Sequence, residues 1–127
     1  MSDRGQPVVE ELVRAMTRFF KDRLGRGPEG YRTYLVDDMI VIRFLKALTS
    51  AEYEMAKTSE GRRSVKDTHG RLMGELRPGL EELIRKSTGA DVISVHSDLS
   101  TRTGESVDIF VLNRKVRQLA GGSHVDP

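Results

Sequence analysis

His96, Asp98 and Asp108 are the side chains whose spacing in this sequence best places an imidazole beside carboxylates. His96 and Asp98 alternate along one stretch and Asp108 sits in the next. Folding the two stretches back on each other sets Asp108 directly or diagonally across from His96. A carboxylate there could orient the ring as a general base or share a cation with it. The competing reading is a surface or interface ion pair, favoured because no serine–histidine–acid spacing or metal-ligand motif accompanies the three. His69 falls in step with Val65, Leu72, Met73 and Leu76, the pattern of a packed, hydrogen-bonded group on an apolar helix face. Val65 and Met73 occupy the positions four away, so His69 cannot form a two-histidine metal helix. No metal binding is expected at His124, in the C-terminal segment.

Two loops offer recognition chemistry. Gly27-Pro28-Glu29-Gly30 matches a bare GxxG, with Gly25 just ahead of it. A phosphate cradle would need a strand before it and a lysine and helix after it, whereas the order here is reversed; an RNA-clamping GxxG would lie between helices. The segment reads as a turn, with a partner-contacting surface loop as the alternative. Ser97, Ser100, Thr101, Arg102 and Thr103 gather hydroxyls and a cation that suit an anion or a carbonyl-bearing partner, and that equally suit a solvated turn.

These residues must be positioned by recognisable elements. Val8, Val9, Leu12, Val13, Met16, Phe19, Phe20 and Leu24 recur at three- and four-residue steps after Pro7, predicting a helix over 7–24. Residues 31–36 and 39–45 read as strands joined by Asp37-Asp38, a two-residue hairpin loop that is poorer than Asp-Gly at the positive φ angles a type I′ turn demands. Both strands carry apolar residues on both faces, as expected of a ribbon covered on each side by helices or a second subunit. A short helix is expected over 49–57. A longer one, capped by Thr58 or Ser59 and stopped at Gly89, should run to about Ser87, with a kink at Pro78 eased by Gly74. A second hairpin follows, Val92 to Leu99 and Ser106 to about Val111 around Gly104, with Ile93 and Val95 on one face and Val107, Ile109 and Val111 opposing Ser106, Asp108 and Phe110. The order α-β-β-α-α-β-β predicts one α+β domain over 7–113, a four-stranded, mainly antiparallel sheet with two main helices, and a fraying basic tail over 114–127.

Composition removes whole classes of function. The chain has 127 residues, 37% hydrophobic and 31% charged, too apolar for disorder and too charged for a membrane bundle. The run Met39-Ile40-Val41-Ile42 stops at Arg43, far short of a bilayer span, and residues 1–24 carry acids where a secretory signal would be apolar. A cytoplasmic protein is expected. With no cysteine, thiolate metal sites, iron–sulfur clusters and cysteine nucleophiles are excluded. The net charge of +2 is too small for a general phosphate-binding surface, and the nearest cationic cluster is Arg114, Lys115 and Arg117.

Four segments together carry a family resemblance: Gly25-Arg26-Gly27-Pro28; Leu35-Val36-Asp37-Asp38-Met39-Ile40-Val41-Ile42-Arg43; Leu48-Thr49 with Glu60-Gly61-Arg62; and Ser94-Val95-His96-Ser97-Asp98-Leu99-Ser100-Thr101-Arg102-Thr103-Gly104-Glu105. In this order they resemble the small bacterial family of the MpsC component of the sodium-translocating, membrane-potential-generating system, over about Val8 to Asn113. The resemblance implies a soluble component associated with a membrane complex that moves sodium and supports inorganic-carbon uptake. It brings no catalytic residue. The expectation is a non-enzymatic accessory or regulatory protein without cofactor or metal, forming a homo-oligomer and docking on a membrane ion-translocating partner. Its candidate contact residues are His96, Ser97, Asp98, Ser100, Thr101, Arg102, Thr103 and Asp108, with Gly25, Gly27 and Pro28. The alternative is a small-ligand or nucleic-acid binding module using the Gly25–Gly30 loop and the basic tail, although nucleic acid is the weaker partner. A hydrolase or lyase built on His96, Asp98 and Asp108 stands third.

Overall fold

The structure is a computed structural model that describes residues 6–25, 30–115 and 121–125. The helix α1 spans Gln6–Leu24 and ends where Gly25 takes φ +79° and donates to the Lys21 carbonyl at 2.8 Å. Strands β1 (Tyr31–Val36) and β2 (Met39–Phe44) form the first hairpin. In its two-residue turn Asp37 has φ +55° and Asp38 does not share the positive angle. The turn is therefore not type I′, which requires both, and an Asp-Asp pair need hold only one residue in the less favoured region.

Thr49 caps the helix α2 (Ser50–Met55) through a reciprocal capping box with Glu52. Thr58 caps the helix α3 (Ser59–Thr88), which runs as one element through Pro78 to the left-handed Gly89. Strands β3 (Val92–Leu99) and β4 (Ser106–Leu112) form the second hairpin. The four expected strands are all present and antiparallel, with β2 lying against β4 to join the hairpins. A fifth strand, β5 (Gly121–Val125), pairs with β1, giving the order β3-β4-β2-β1-β5. The sequence reading had no strand beyond β4; this one lies within the segment expected to fray.

Helices α1 and α3 pack side by side on one face of the sheet. Leu12, Val13, Met16 and Phe20 meet Leu76, Leu80 and Ile84, and both rows press on Ile40, Ile42, Phe44, Phe110 and Leu112. A smaller cluster, Leu48, Val65 and Leu99, fixes the N-terminal half of α3 over the turn end of the second hairpin.

The alternation in β4 leads one to expect Val107, Ile109 and Val111 on a greasy face and Asp108 on a polar one, and the structure overturns this. Phe110 and Leu112 take the core, and the two-residue period of a strand carries Ser106 and Asp108 with them, leaving Val107, Ile109 and Val111 on the other face. Between Val92 and Ser94 a register shift in β3 leaves Ile93 unpaired and 61% exposed, so that both Val92 and Val95 pack against the core. Among the described residues no element covers the other face of the sheet. There Tyr34, Val41 and Ile109 lie in register across three strands, with Val36, Met39 and Val111 in the next row.

Candidate functional site

The site grows from the way α3 leans over the mouth of the second hairpin. His69, Leu72, Met73 and Leu76 on α3 and Phe20 and Leu24 at the end of α1 wall a cleft of about 450 Å³. Phe44 and the connector residues Lys46, Ala47 and Thr49 close a further side, with Glu52 from α2 and Ser106 and Asp108 from β4. Apolar walls with a few polar groups at one end are the usual make-up of a small-molecule pocket, and the volume falls in the usual range.

Asp108 is the side chain on which the sequence reading and the structure differ most. It is 3% exposed and does not meet His96. Its cross-strand neighbour is Ser97, whose hydroxyl donates to Oδ1 at 2.6 Å, while His96 stands opposite Ile109 on the other face. The expected His96–Asp108 convergence is thus replaced by a serine–aspartate pair, because β4 takes the phase opposite to the expected one while β3 keeps Val95, Ser97 and Leu99 on the core side and His96 on the other, as expected. Burial pushes the Asp108 carboxyl up to about 6, although the Ser97 hydrogen bond and the nearby His69 both act to lower it. Among the described residues nothing donates to Oδ2.

The imidazole in this site is His69. Its Nε2 lies 2.8 Å from Glu52 Oε2, while Glu52 Oε1 accepts from the Thr49 N–H at 2.9 Å. Burial acts to raise the Glu52 carboxyl, but the Thr49 backbone, His69 and the Thr49 side chain outweigh it and the net shift is downward. One carboxylate therefore completes the helix cap and orients the ring. His69 was expected to be a packed, hydrogen-bonded group; it is, and it also lines the cleft. Neither Glu52 nor His69 stood among the expected contact residues. A signal for Glu52 was present, since Thr49-x-x-Glu52 is a capping box, but nothing local said that a residue seventeen positions away would complete it. Among the described residues no group of three histidines or acids is close enough to hold a metal ion.

The other candidates are dispersed. Asp98 is exposed, and the Lys66 ammonium at 3.2 Å, helped by the Leu99 N–H, holds its carboxyl below the usual range. Ser100 and Thr103 use their hydroxyls to accept from the backbone of Thr103 and Glu105, inside a turn closed by Gly104 at φ +79°. The same turn receives the Tyr53 hydroxyl at the Thr103 carbonyl. Thr101 and Arg102 lie at its tip. Gly25 ends α1, whereas Gly27 and Pro28 lie outside the described residues. Of the basic cluster, Arg114 donates to the Gly89 carbonyl at 2.9 Å and Lys115 stands 3.8 Å from Asp37. Those two cations are directed at the fold itself.

Fold and cleft together define a two-layer α+β protein with helices on one sheet face, a mixed cleft at the seam between layers and, among the described residues, nothing over the opposite face. The chain belongs to the family described as the Na+-translocating membrane potential-generating system (MpsC), which matches residues 6–114. It is 40% identical to the uncharacterized protein YbcI of Bacillus subtilis over 105 residues, 83% of this chain and 85% of that one. It is also 29% identical to the uncharacterized protein YrhF of the same organism over 113 residues, 85% of this chain and 89% of the relative. No solved structure matches. Among the described residues no helix is long and apolar enough to cross a membrane.

Proposed function

We propose that this chain is a cytoplasmic, non-enzymatic accessory component of a membrane sodium-translocating system, acting through association with its own copies and with a membrane partner. One observation carries the reading: the apolar rows of the open sheet face. Tyr34 and Val36 are 41% and 48% exposed, and they continue in register into Val41, Met39, Ile109 and Val111. Contiguous apolar area of this kind on a small domain marks an interface.

A second copy is the occupant that suits it. Arg32 and Arg43 stand in register with Val107 and Asp98 in the row at one end of the patch, where Arg43 pairs with Glu105 and Asp98 with Lys66. A two-fold axis along the strands lays the apolar rows of one copy on those of the other, the self-complementarity an isologous dimer needs. In light scattering at micromolar concentration the wild type is expected to be a dimer, and Ile109→Lys, which sets a charge in the centre of the patch, a monomer with an unchanged circular dichroism spectrum. A monomeric wild type would overturn the self-association. Failure to recover any membrane protein after cross-linking in cells would overturn the docking. The small-ligand alternative gains support from the cleft, whereas the basic cluster gives nucleic acid little, since Arg114 and Lys115 already bind the fold.

A further inference from the structure

The cleft carries chemistry that the accessory reading does not use. Its apolar walls include Phe20, Phe44, Leu72, Met73 and Leu76, and the Asp108 carboxyl is among its polar lining groups. Asp108 is buried in the sheet, receives Ser97 Oγ on Oδ1, and has no described donor on Oδ2. A carboxylate oxygen at a largely apolar cleft is poorly solvated, and a charged donor there makes a stronger hydrogen bond than a neutral one. Glu52 does not compete for the same donor. Its Oε1 is taken by the Thr49 N–H and its Oε2 by His69, so it fixes the ring and adds a second negative charge to the same end of the cleft. A carboxylate ligand would approach two acids there, whereas a donor with positive charge would approach a matched site.

We propose that the cleft binds a small amphipathic amine, its ammonium donating to Asp108 and its short hydrocarbon or aromatic body lying along Phe44, Leu72, Met73 and Leu76. The hydrocarbon part supplies most of the buried area, and the ammonium supplies orientation and discrimination. Lys46 at the cleft is the residue that argues for an anion instead, so an anionic probe belongs in the test. Glu52 and His69 act as positioning residues, holding the wall of the cleft against α2.

Benzylamine, benzyl alcohol and benzoate, which share one ring and differ in head group, test this on the full chain by NMR of the Leu and Met methyl groups. Benzylamine is expected to shift the methyl signals of Leu72, Met73 and Leu76 saturably, with benzyl alcohol about tenfold weaker and benzoate without effect, a tenfold step being what one charged hydrogen bond is worth. Asp108→Asn should lower benzylamine affinity about tenfold and narrow the gap to the alcohol, because an amide cannot match a carboxylate toward ammonium. If that variant does not fold, the three-probe series on the wild type decides alone. Benzoate binding as tightly as benzylamine, or no shift of these methyls by any probe at millimolar concentration, overturns the proposal. Neither result touches the sheet-face dimer, which light scattering reads separately.

Discussion

Asp108 costs the fold something near neutral pH, and the cost has a sign that can be measured. Burial raises its folded pKa to about 6, above the roughly 3.9 of an unfolded aspartate. A carboxyl with a raised folded pKa contributes fully at low pH, and that contribution is lost as pH rises through the window between the two values. Stability should fall by up to about 1.4 kcal/mol per pH unit between roughly pH 4 and 6, and Asp108→Asn should remove this slope from urea titrations taken across the window. Ser97 and His69 face the carboxyl and both oppose the rise. Glu52 works in the opposite sense: its folded pKa is lowered, so its contribution is present above its unfolded value and is lost only as pH falls through the lowered one. The two slopes therefore occupy different ranges. Thr33 offers a cleaner test. Its hydroxyl is buried in β1 and has no hydrogen-bond partner among the described residues, and the isosteric Thr33→Val should stabilise the protein by about 1 kcal/mol in chemical denaturation.

Within the longest helix, glycines at different positions have opposite meanings. A Cβ on Gly61 would lie 1.7 Å from the Met55 carbonyl oxygen, a backbone atom that cannot swing aside. The sharp passage from α2 into α3 depends on that absence, which gives a physical reason for the glycine in Glu60-Gly61-Arg62. A Cβ on Gly70 would meet nothing within 4 Å. Gly70→Ala should therefore raise stability by up to about 1 kcal/mol through helix propensity. Gly61→Ala should lower it by about 1–3 kcal/mol as the two helices are forced apart, a contrast that paired thermal melts would show. Helix boundaries and caps were legible because their causes are local: Thr49 with Glu52, Thr58 and Gly89 lie within a few residues of what they satisfy. The existence of β1 to β4 was legible for the same reason, whereas β5, which adds to the sheet only by pairing with the distant β1, was not. Strand facing was not. β4 carries apolar residues in both phases, and local pattern could not say whether Phe110 and Leu112 or Ile109 and Val111 would meet the helices.

At the scale of the whole molecule the two layers leave a surface and a cleft, and each follows from how few helices there are. Two main helices cover one side of the sheet, and among the described residues nothing covers the apolar outer residues of β1, β2 and β4; the dimer proposed from them stands or falls with Ile109→Lys. The cleft arises where α3 extends beyond the core toward α2 and the first turn of β4, and it assembles residues from five separate elements.

The order of elements through β4, their caps, the α+β class and the family are written in the chain itself, because each depends on contacts a few residues long or on motifs read directly. Which carboxyl is buried, which histidine shares its cleft and which hydroxyl bonds it were decided only by the tertiary structure. The reason is geometric: packing the larger Phe110 and Leu112 against α1 and α3 fixed the phase of β4, and with it Asp108 turned away from His96 toward Ser97 and the cleft it shares with His69.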